Sequence, residues 1–153
     1  IDISSLLEDS AHAAGRIPGM KVNTDIAPDV IVNGNATDLR RVINNLVENA
    51  RRYGQTPGTD TTELDISCKV KMTGFGKRVV IEVQDHGVGV PDDQIGQLLK
   101  PFTRMDSARG QANGAGLGLA IVERVVSRHN AELHVSNREG GGLKIQVVMA
   151  PAE

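Results

Sequence analysis

The chain reads as an α+β domain, a two-layer sandwich with helices on one face of a mixed, mostly antiparallel sheet. Three observations predict this. Leu39, Ile43, Leu46, Val47 and Ala50, and again Leu119, Val122, Val125 and Val126, recur three or four positions apart, the period of a helix with one buried stripe. Two stretches alternate apolar and polar residues on either side of a glycine turn, around Gly74-Phe75-Gly76 and Gly140-Gly141-Gly142, which is the pattern of antiparallel hairpins. Helices and strands also follow one another in mixed order, which disfavours a doubly wound parallel sheet.

Taken in order, residues 4–14 are expected to form a short helix capped by Ser4 or Ser5 and ended near Gly15. Met20, Val22, Thr24 and Ile26 alternate as a strand, and a second short strand is expected at 29–32, ended by the Asn33-Gly34 turn. A helix starts near Ala36 with Thr37 or Asp38 as its cap and stops by Gly54; 55–61 is a Gly/Pro loop. Leu64, Ile66, Cys68, Val70 and Met72 predict a long half-buried strand, answered by Val79, Ile81 and Val83 on the return. Pro91, at a first helical position with Asp92 and Asp93 behind it, predicts a helix to about Lys100. Residues 101–115 show little periodicity, a second strong helix spans about 116–129, and a hairpin of 132–136 with 143–149 closes the chain.

Composition narrows the functional classes. The 153 residues suit one domain, 1–153, with 39% hydrophobic and 24% charged residues. Tyr53, Phe75 and Phe102 are the only aromatics, so the core must be aliphatic and platforms for stacking single-stranded nucleic acid are lacking. Seventeen basic against nineteen acidic residues give a net charge of -2, which argues against a nucleic-acid or acidic-membrane binder. Neither kind of contact is expected of this chain. The lone Cys68 cannot form an internal disulfide and points to a reducing compartment. No apolar stretch nears the roughly 20 residues that span a bilayer, and no signal peptide opens the chain. It begins at Ile1 without Met, so a fragment of a longer protein is expected.

Four motifs carry chemistry. Asn45, Asn49 and Tyr53 are spaced by four and form one helical stripe beside the apolar one. Carboxamide oxygens are hard donors suited to Mg²⁺, although solvated surface amides are the commoner case. Asp85-His86-Gly87-Val88-Gly89 ends a strand, where a carboxylate can accept from an exocyclic amine such as adenine N6; a plain Asx turn is the ordinary alternative. Gly114-Ala115-Gly116-Leu117-Gly118 runs into a helix, offering free amides and the positive dipole end to phosphates. It matches neither the Walker A loop nor the dinucleotide G-x-G-x-x-G spacing. Pro101-Phe102 is followed by Arg104 and Arg109, which can close over phosphates as a lid or be solvated charges.

Asn45-Leu-Val-Glu-Asn49-Ala-Arg-Arg52-Tyr53, Asp85-His-Gly87-Val-Gly89, Pro101-Phe102-Thr-Arg104 and Gly114-Ala-Gly116-Leu117-Gly118 resemble, in this order, the N, G1, F and G2 boxes of bacterial sensor histidine kinases. The resemblance covers about residues 20–150, and the stretches 102–109 and 49–53 look most like the osmosensor EnvZ and its relatives. It implies the Bergerat ATP-binding sandwich shared with gyrase, Hsp90 and MutL. It further implies ATP and Mg²⁺ as cofactors, with Asn49 on the metal and Asn45 beside it. Asp85 would bind the adenine amine, supported by Gly87 and Gly89. Arg52 and Tyr53 would lie against the nucleotide, and Gly114, Gly116, Leu117 and Gly118 would give the lid its hinge and phosphate contacts. Arg104 and Arg109 would belong to that lid, and Phe102 would anchor it or touch a helical partner domain.

The implied partners are ATP and ADP, a dimerisation and phosphoacceptor domain of the same protein, and an OmpR-type response regulator. The implied setting is the cytoplasmic side of an inner-membrane sensor. The phosphoacceptor box, His followed by Glu with a nearby Pro, is absent: His12, His86, His129 and His134 all read as solvated or structural. The isolated chain is therefore not expected to phosphorylate itself. A free-standing ATPase of the gyrase type would, by its family pattern, carry glutamate at position 45 to activate water, and an amide there cannot act as a base. Glu48 is expected to pair with Arg51 or Arg52. A serine kinase of the anti-sigma type, or a degenerate docking domain, fits the motif set less well.

Overall fold

The computed structural model describes residues 1–99 and 115–152, and for 96–99 and 115–118 the backbone alone. Its elements are α1 (Ile3–Gly15), β1 (Met20–Ile26), α2 (Ala36–Tyr53), β2 (Thr62–Thr73), β3 (Gly76–Asp85), a 3-10 segment (Asp92–Leu99), α3 (Ala115–Arg128), β4 (Glu132–Asn137) and β5 (Leu143–Met149). The strands form one sheet in the order β1-β2-β3-β5-β4. β1 runs parallel to β2 and every other pair is antiparallel, the mixed sheet that the hairpins predict.

Period-two alternation sends Leu64, Ile66 and Cys68 of β2, Val79, Ile81 and Val83 of β3, and Leu143, Ile145, Val147 and Met149 of β5 to one side. There they meet Leu7 of α1, the Leu39–Ala50 stripe of α2 and Leu119, Val122, Val125 and Val126 of α3 in one aliphatic cluster. Each such side chain contributes roughly 1.5–3 kcal/mol by leaving water. Cys68 lies in this core, and burial pushes its thiol up to about 11, so it packs as a small hydrophobe.

Both helix caps differ from the sequence expectation. Asp2 caps α1, its Oδ1 accepting from the Ser5 amide at 3.0 Å. Ser4 is committed elsewhere: its hydroxyl donates to the Ala27 carbonyl at 2.6 Å and accepts from the Val30 amide at 2.9 Å. Asn35, rather than Thr37 or Asp38, caps α2; it is extended, and its Oδ1 reaches the Asp38 amide at 3.0 Å. The strand expected at 29–32 is a single bridge, Asp2 to Ile31. Asp29 sits at φ 59 and turns the chain, after which Val30 and Val32 bond to the residues around Ile1 and Ile31 bonds to Ala152.

Two further expectations change. β2 is buried only as far as Cys68; beyond it the hairpin outruns the helices, leaving Met72 72% and Phe75 87% exposed. The helix expected after Pro91 is a 3-10 segment, its first turn closed by the Gln94 amide on the Pro91 carbonyl at 2.8 Å. Eight residues containing Gly96 offer too little to sustain an α-helix in its place.

Candidate functional site

The C-terminus of α2, the end of β3 and the turn between β4 and β5 meet at one side chain. Asp85 is the last residue of β3 and is 3% exposed. Its Oδ1 accepts from the Gly87 amide at 3.0 Å and from the Leu143 amide, 58 residues away, at 3.1 Å. A buried carboxylate is tolerated only when hydrogen-bonded, and two amides on one oxygen fix its orientation.

Close packing reinforces this. A Cβ on Gly54, the residue ending α2, would lie 2.6 Å from Cβ and Cγ of Asp85; one on Gly87 would lie 2.8 Å from Cα of Gly54. Gly142, at φ +100, would set a Cβ 1.9 Å from the Asp85 carbonyl oxygen. Only glycine satisfies both the backbone and the space there. Gly54 and Gly142 read from sequence as a helix stop and a turn; their joint contact with Asp85 is tertiary and leaves no local signal. Asn137 was missed for the same reason: its side chain holds the backbone of Val90 across 47 residues.

On α2, Asn45 and Asn49 are half-buried beside the apolar stripe and Tyr53 is buried. Nδ2 of Asn45 is buried without a hydrogen-bond partner among the described residues. Arg52, expected near a nucleotide, turns toward Glu48: its Nε donates to Oε1 at 2.8 Å while Arg51 binds the same carboxylate. The hydrogen bond from Arg51, joined by that from Arg52, holds Glu48 well below the ordinary range, at about 2. Thus Glu48 pairs with both arginines at once.

His86 follows Asp85 in sequence but reaches away from it. Its Nε2 shares a 2.8 Å hydrogen bond with Asp65 of β2, whose other oxygen accepts from Asn23 of β1 at 3.0 Å. Gly89 lies in the left-handed region at φ 74. Gly116, Leu117 and Gly118 fall in the first turn of α3, which packs against α2 and the 3-10 segment. Pro101, Phe102, Arg104, Arg109 and Gly114 lie outside the described residues. His129 is structural, as expected: Nδ1 donates to the Val125 carbonyl at 2.9 Å and Nε2 accepts from the Asn35 amide at 3.2 Å.

Among the described residues no cluster of three or more His, Cys, Asp or Glu could hold a metal. No described helix is long and apolar enough to cross a membrane.

Comparison with known proteins agrees with this geometry. The family described as histidine kinase-, DNA gyrase B-, and HSP90-like ATPase matches residues 34–153. The phosphate regulon sensor protein PhoR of Pseudomonas aeruginosa is 37% identical over 153 residues, covering 99% of this chain and 32% of its own length. This chain thus spans about a third of the length of such curated relatives. Among solved structures, the mycobacterial sensor histidine kinase MprB superposes with a TM-score of 0.79 at 22% identity, over 99% of this chain and 95% of that one, and so shares its fold. The histidine kinase domain of the E. coli osmosensor EnvZ is 32% identical with a TM-score of 0.69, over 100% of this chain and 88% of that one.

Proposed function

The chain belongs to the histidine kinase-, DNA gyrase B-, and HSP90-like ATPase family, and on that premise we propose that it is the ATP-binding catalytic part of a two-component sensor histidine kinase. It passes the γ-phosphoryl group of ATP to a histidine on a separate helical domain, which hands it to a response regulator of the OmpR type. The observation that carries the reading is Asp85. Its carboxylate is buried, oriented by the Gly87 and Leu143 amides and packed against Gly54 at the end of the asparagine-bearing helix. A carboxylate so held is suited to accept from an adenine amine, and its fixed direction favours a base that presents a donor at that place.

Asn49 is the residue that would hold Mg²⁺, with Asn45 beside it. The fit rests on the oxygen-donor chemistry of both carboxamides, while the buried Asn45 Nδ2, without a hydrogen-bond partner among the described residues, is a donor suited to a phosphate oxygen beside the ion. Bound there, the ion would supply positive charge against the phosphates. The chain's own part would be positioning: Asp85 would fix the base, the asparagine stripe the phosphate end, and the first-turn amides of α3 would offer donors to the phosphates. Arg104, Arg109 and Gly114 would complete this as a lid. Neither His12, which shares a hydrogen bond with Arg16, nor His86, His129 or His134 stands in an acceptor setting, so the accepting histidine lies on another domain. The parent protein would be an inner-membrane sensor with this part in the cytoplasm.

Calorimetric titration of ATP, with and without Mg²⁺, on the wild type and Asp85→Asn tests the reading. One-to-one binding strengthened by Mg²⁺ and lost in the variant is expected. A folded wild-type chain that binds no ATP would overturn it.

A further inference from the structure

The loop that follows Asp85 is held at its far end by a side chain acting as a piece of strand. Asn137 is the last residue of β4. Its Oδ1 accepts from the Val90 amide at 3.0 Å and its Nδ2 donates to the Val90 carbonyl at 2.7 Å, so one carboxamide satisfies both polar groups of a peptide residue as a neighbouring strand would. The second Nδ2 hydrogen reaches Oδ1 of Asp92, the first residue of the 3-10 segment, at 2.8 Å. Three of the four hydrogen bonds an asparagine side chain can make are thereby used on a span of three residues. Gly89, at φ +74, fits beneath: a Cβ there would come within 2.6 Å of Asn137 Oδ1.

The same hairpin supplies the Leu143 amide to Asp85 at the near end. The β4–β5 hairpin therefore grips the segment 85–92 twice, once through a main-chain amide at Asp85 and once through Asn137 at Val90 and Asp92. Gly87 and Gly89 between the two grips are set in place by them. Glycines permit many shapes, and something outside the loop must select one.

We propose that Asn137 is a positioning residue of the nucleotide site, holding the Asp85–Gly89 loop in the shape that receives the base. The proposal rests on the reading of Asp85 as the base acceptor. Asn137 touches no nucleotide in this scheme. It acts through Val90 and Gly89, and its removal releases the far end of the loop while Leu143 still holds Asp85.

Nucleotide affinity and base selectivity test it, measured by calorimetric titration of ATP and of GTP well below the thermal midpoint of each variant. Asn137→Ala is expected to bind ATP about tenfold more weakly and to lose a similar factor of its preference for ATP over GTP, since loss of hydrogen bonds worth about a factor of ten is involved. A purely structural role would lower the melting temperature and leave the selectivity of the folded fraction untouched. Asn137→Asp is the second variant, serving if the alanine chain does not fold. It can still accept from the Val90 amide, but it faces the Val90 carbonyl and the Asp92 carboxylate without a proton to donate. Its ATP affinity is expected to be weak at neutral pH and to recover, relative to wild type, as acid returns a donor to that contact.

Folded Asn137→Ala with wild-type ATP affinity and ATP-over-GTP preference overturns the proposal. So does an Asn137→Asp chain whose affinity tracks wild type at every pH. Failure of the wild type itself to bind ATP would instead remove the assignment of Asp85, and the role of Asn137 with it.

Discussion

Replacing Gly54 by alanine separates what the glycine does for the fold from what it does for the site. Gly54 lies at φ -102, which any residue adopts, so no backbone strain enters. The cost is contact: the new Cβ would stand 2.6 Å from Cβ and Cγ of Asp85 and 2.8 Å from its Oδ2. Carbon atoms rest about 3.5–4.0 Å apart, so the overlap is about 1 Å. Overpacking of this kind costs about 1–3 kcal/mol, and the reduced freedom of the unfolded chain returns about 0.4–1 kcal/mol. A net loss of about 1–2 kcal/mol is expected, a modest part of the ~5–15 kcal/mol that holds a domain together. The neighbour that must give way is Asp85, and a shift large enough to relieve the overlap pulls Oδ1 off the Gly87 and Leu143 amides. ATP affinity should therefore fall at least tenfold in a chain that is still folded. Urea unfolding followed by circular dichroism gives the first quantity, and calorimetric titration of ATP the second. Unchanged stability would refute the tight approach, and full ATP affinity in a destabilised Gly54→Ala chain would refute the role of Asp85.

Asn49→Ala should bind ATP almost as well as wild type without Mg²⁺ and lose the Mg²⁺-dependent gain, with stability altered by less than about 1 kcal/mol because the side chain is half-exposed. Strengthening by Mg²⁺ that survives in the variant would take the metal away from Asn49. Glu48 gives a pH signature: its carboxyl is lowered from 4.5 to about 2 by Arg51 and Arg52, so its contribution is complete above pH 4.5 and fades as pH falls through 2. The pair is nearly half exposed, and solvent screening limits the effect to under ~1 kcal/mol. Urea midpoints of wild type and Glu48→Gln should differ slightly above pH 4.5 and converge near pH 2; divergence toward acid would reverse the assignment. His129→Ala removes the acceptor for the Asn35 amide and the donor to Val125, and should cost about 1–3 kcal/mol in chemical denaturation. A neutral result would make the α2–α3 joint dispensable.

The elements that were legible are those whose pattern is sustained. α2 repeats its apolar stripe from Leu39 to Tyr53, about four turns, and β3 and β5 alternate along their length, so burial of one face dictates both type and orientation. Caps were not legible, because Asp2 and Ser4 are both good caps by type and a tertiary bond to Ala27 and Val30 decides between them. Nor was the length of the buried part of β2. Val70 and Met72 alternate as well as Ile66 and Cys68, and only the extent of the helices determines where cover ends. The order β3-β5-β4 was equally hidden: it inserts the last strand between two earlier ones, and the pairing of Val83 with Ile145 has no local trace. The site divides along the same line. Asp85, Asn45 and Asn49 announce themselves by type and spacing, whereas Gly54, Gly142 and Asn137 matter through partners far away in the chain.

Asp85 and His86 show why spacing needs the fold before it assigns chemistry. They are adjacent, both titratable, and part of one motif. Strand alternation sends Asp85 to the side where Leu64, its register partner, is buried beneath the helices. His86 falls on the opposite side, with Glu63 and Asp65 of β2, where the alternate residues of the sheet carry polar groups. On the proposed reading the nucleotide lies on the side of α2 and α3, which is the side of Asp85 and not of His86. His86 is thus tied to the far face by Asp65 while Asp85 is aimed inward, and the bond on the outer side resists rotation of the strand end that would carry Asp85 out of its glycine cage. On this argument Asp65→Asn weakens the site only indirectly, through the set of the loop, and Asp85→Asn weakens it by removing the acceptor itself.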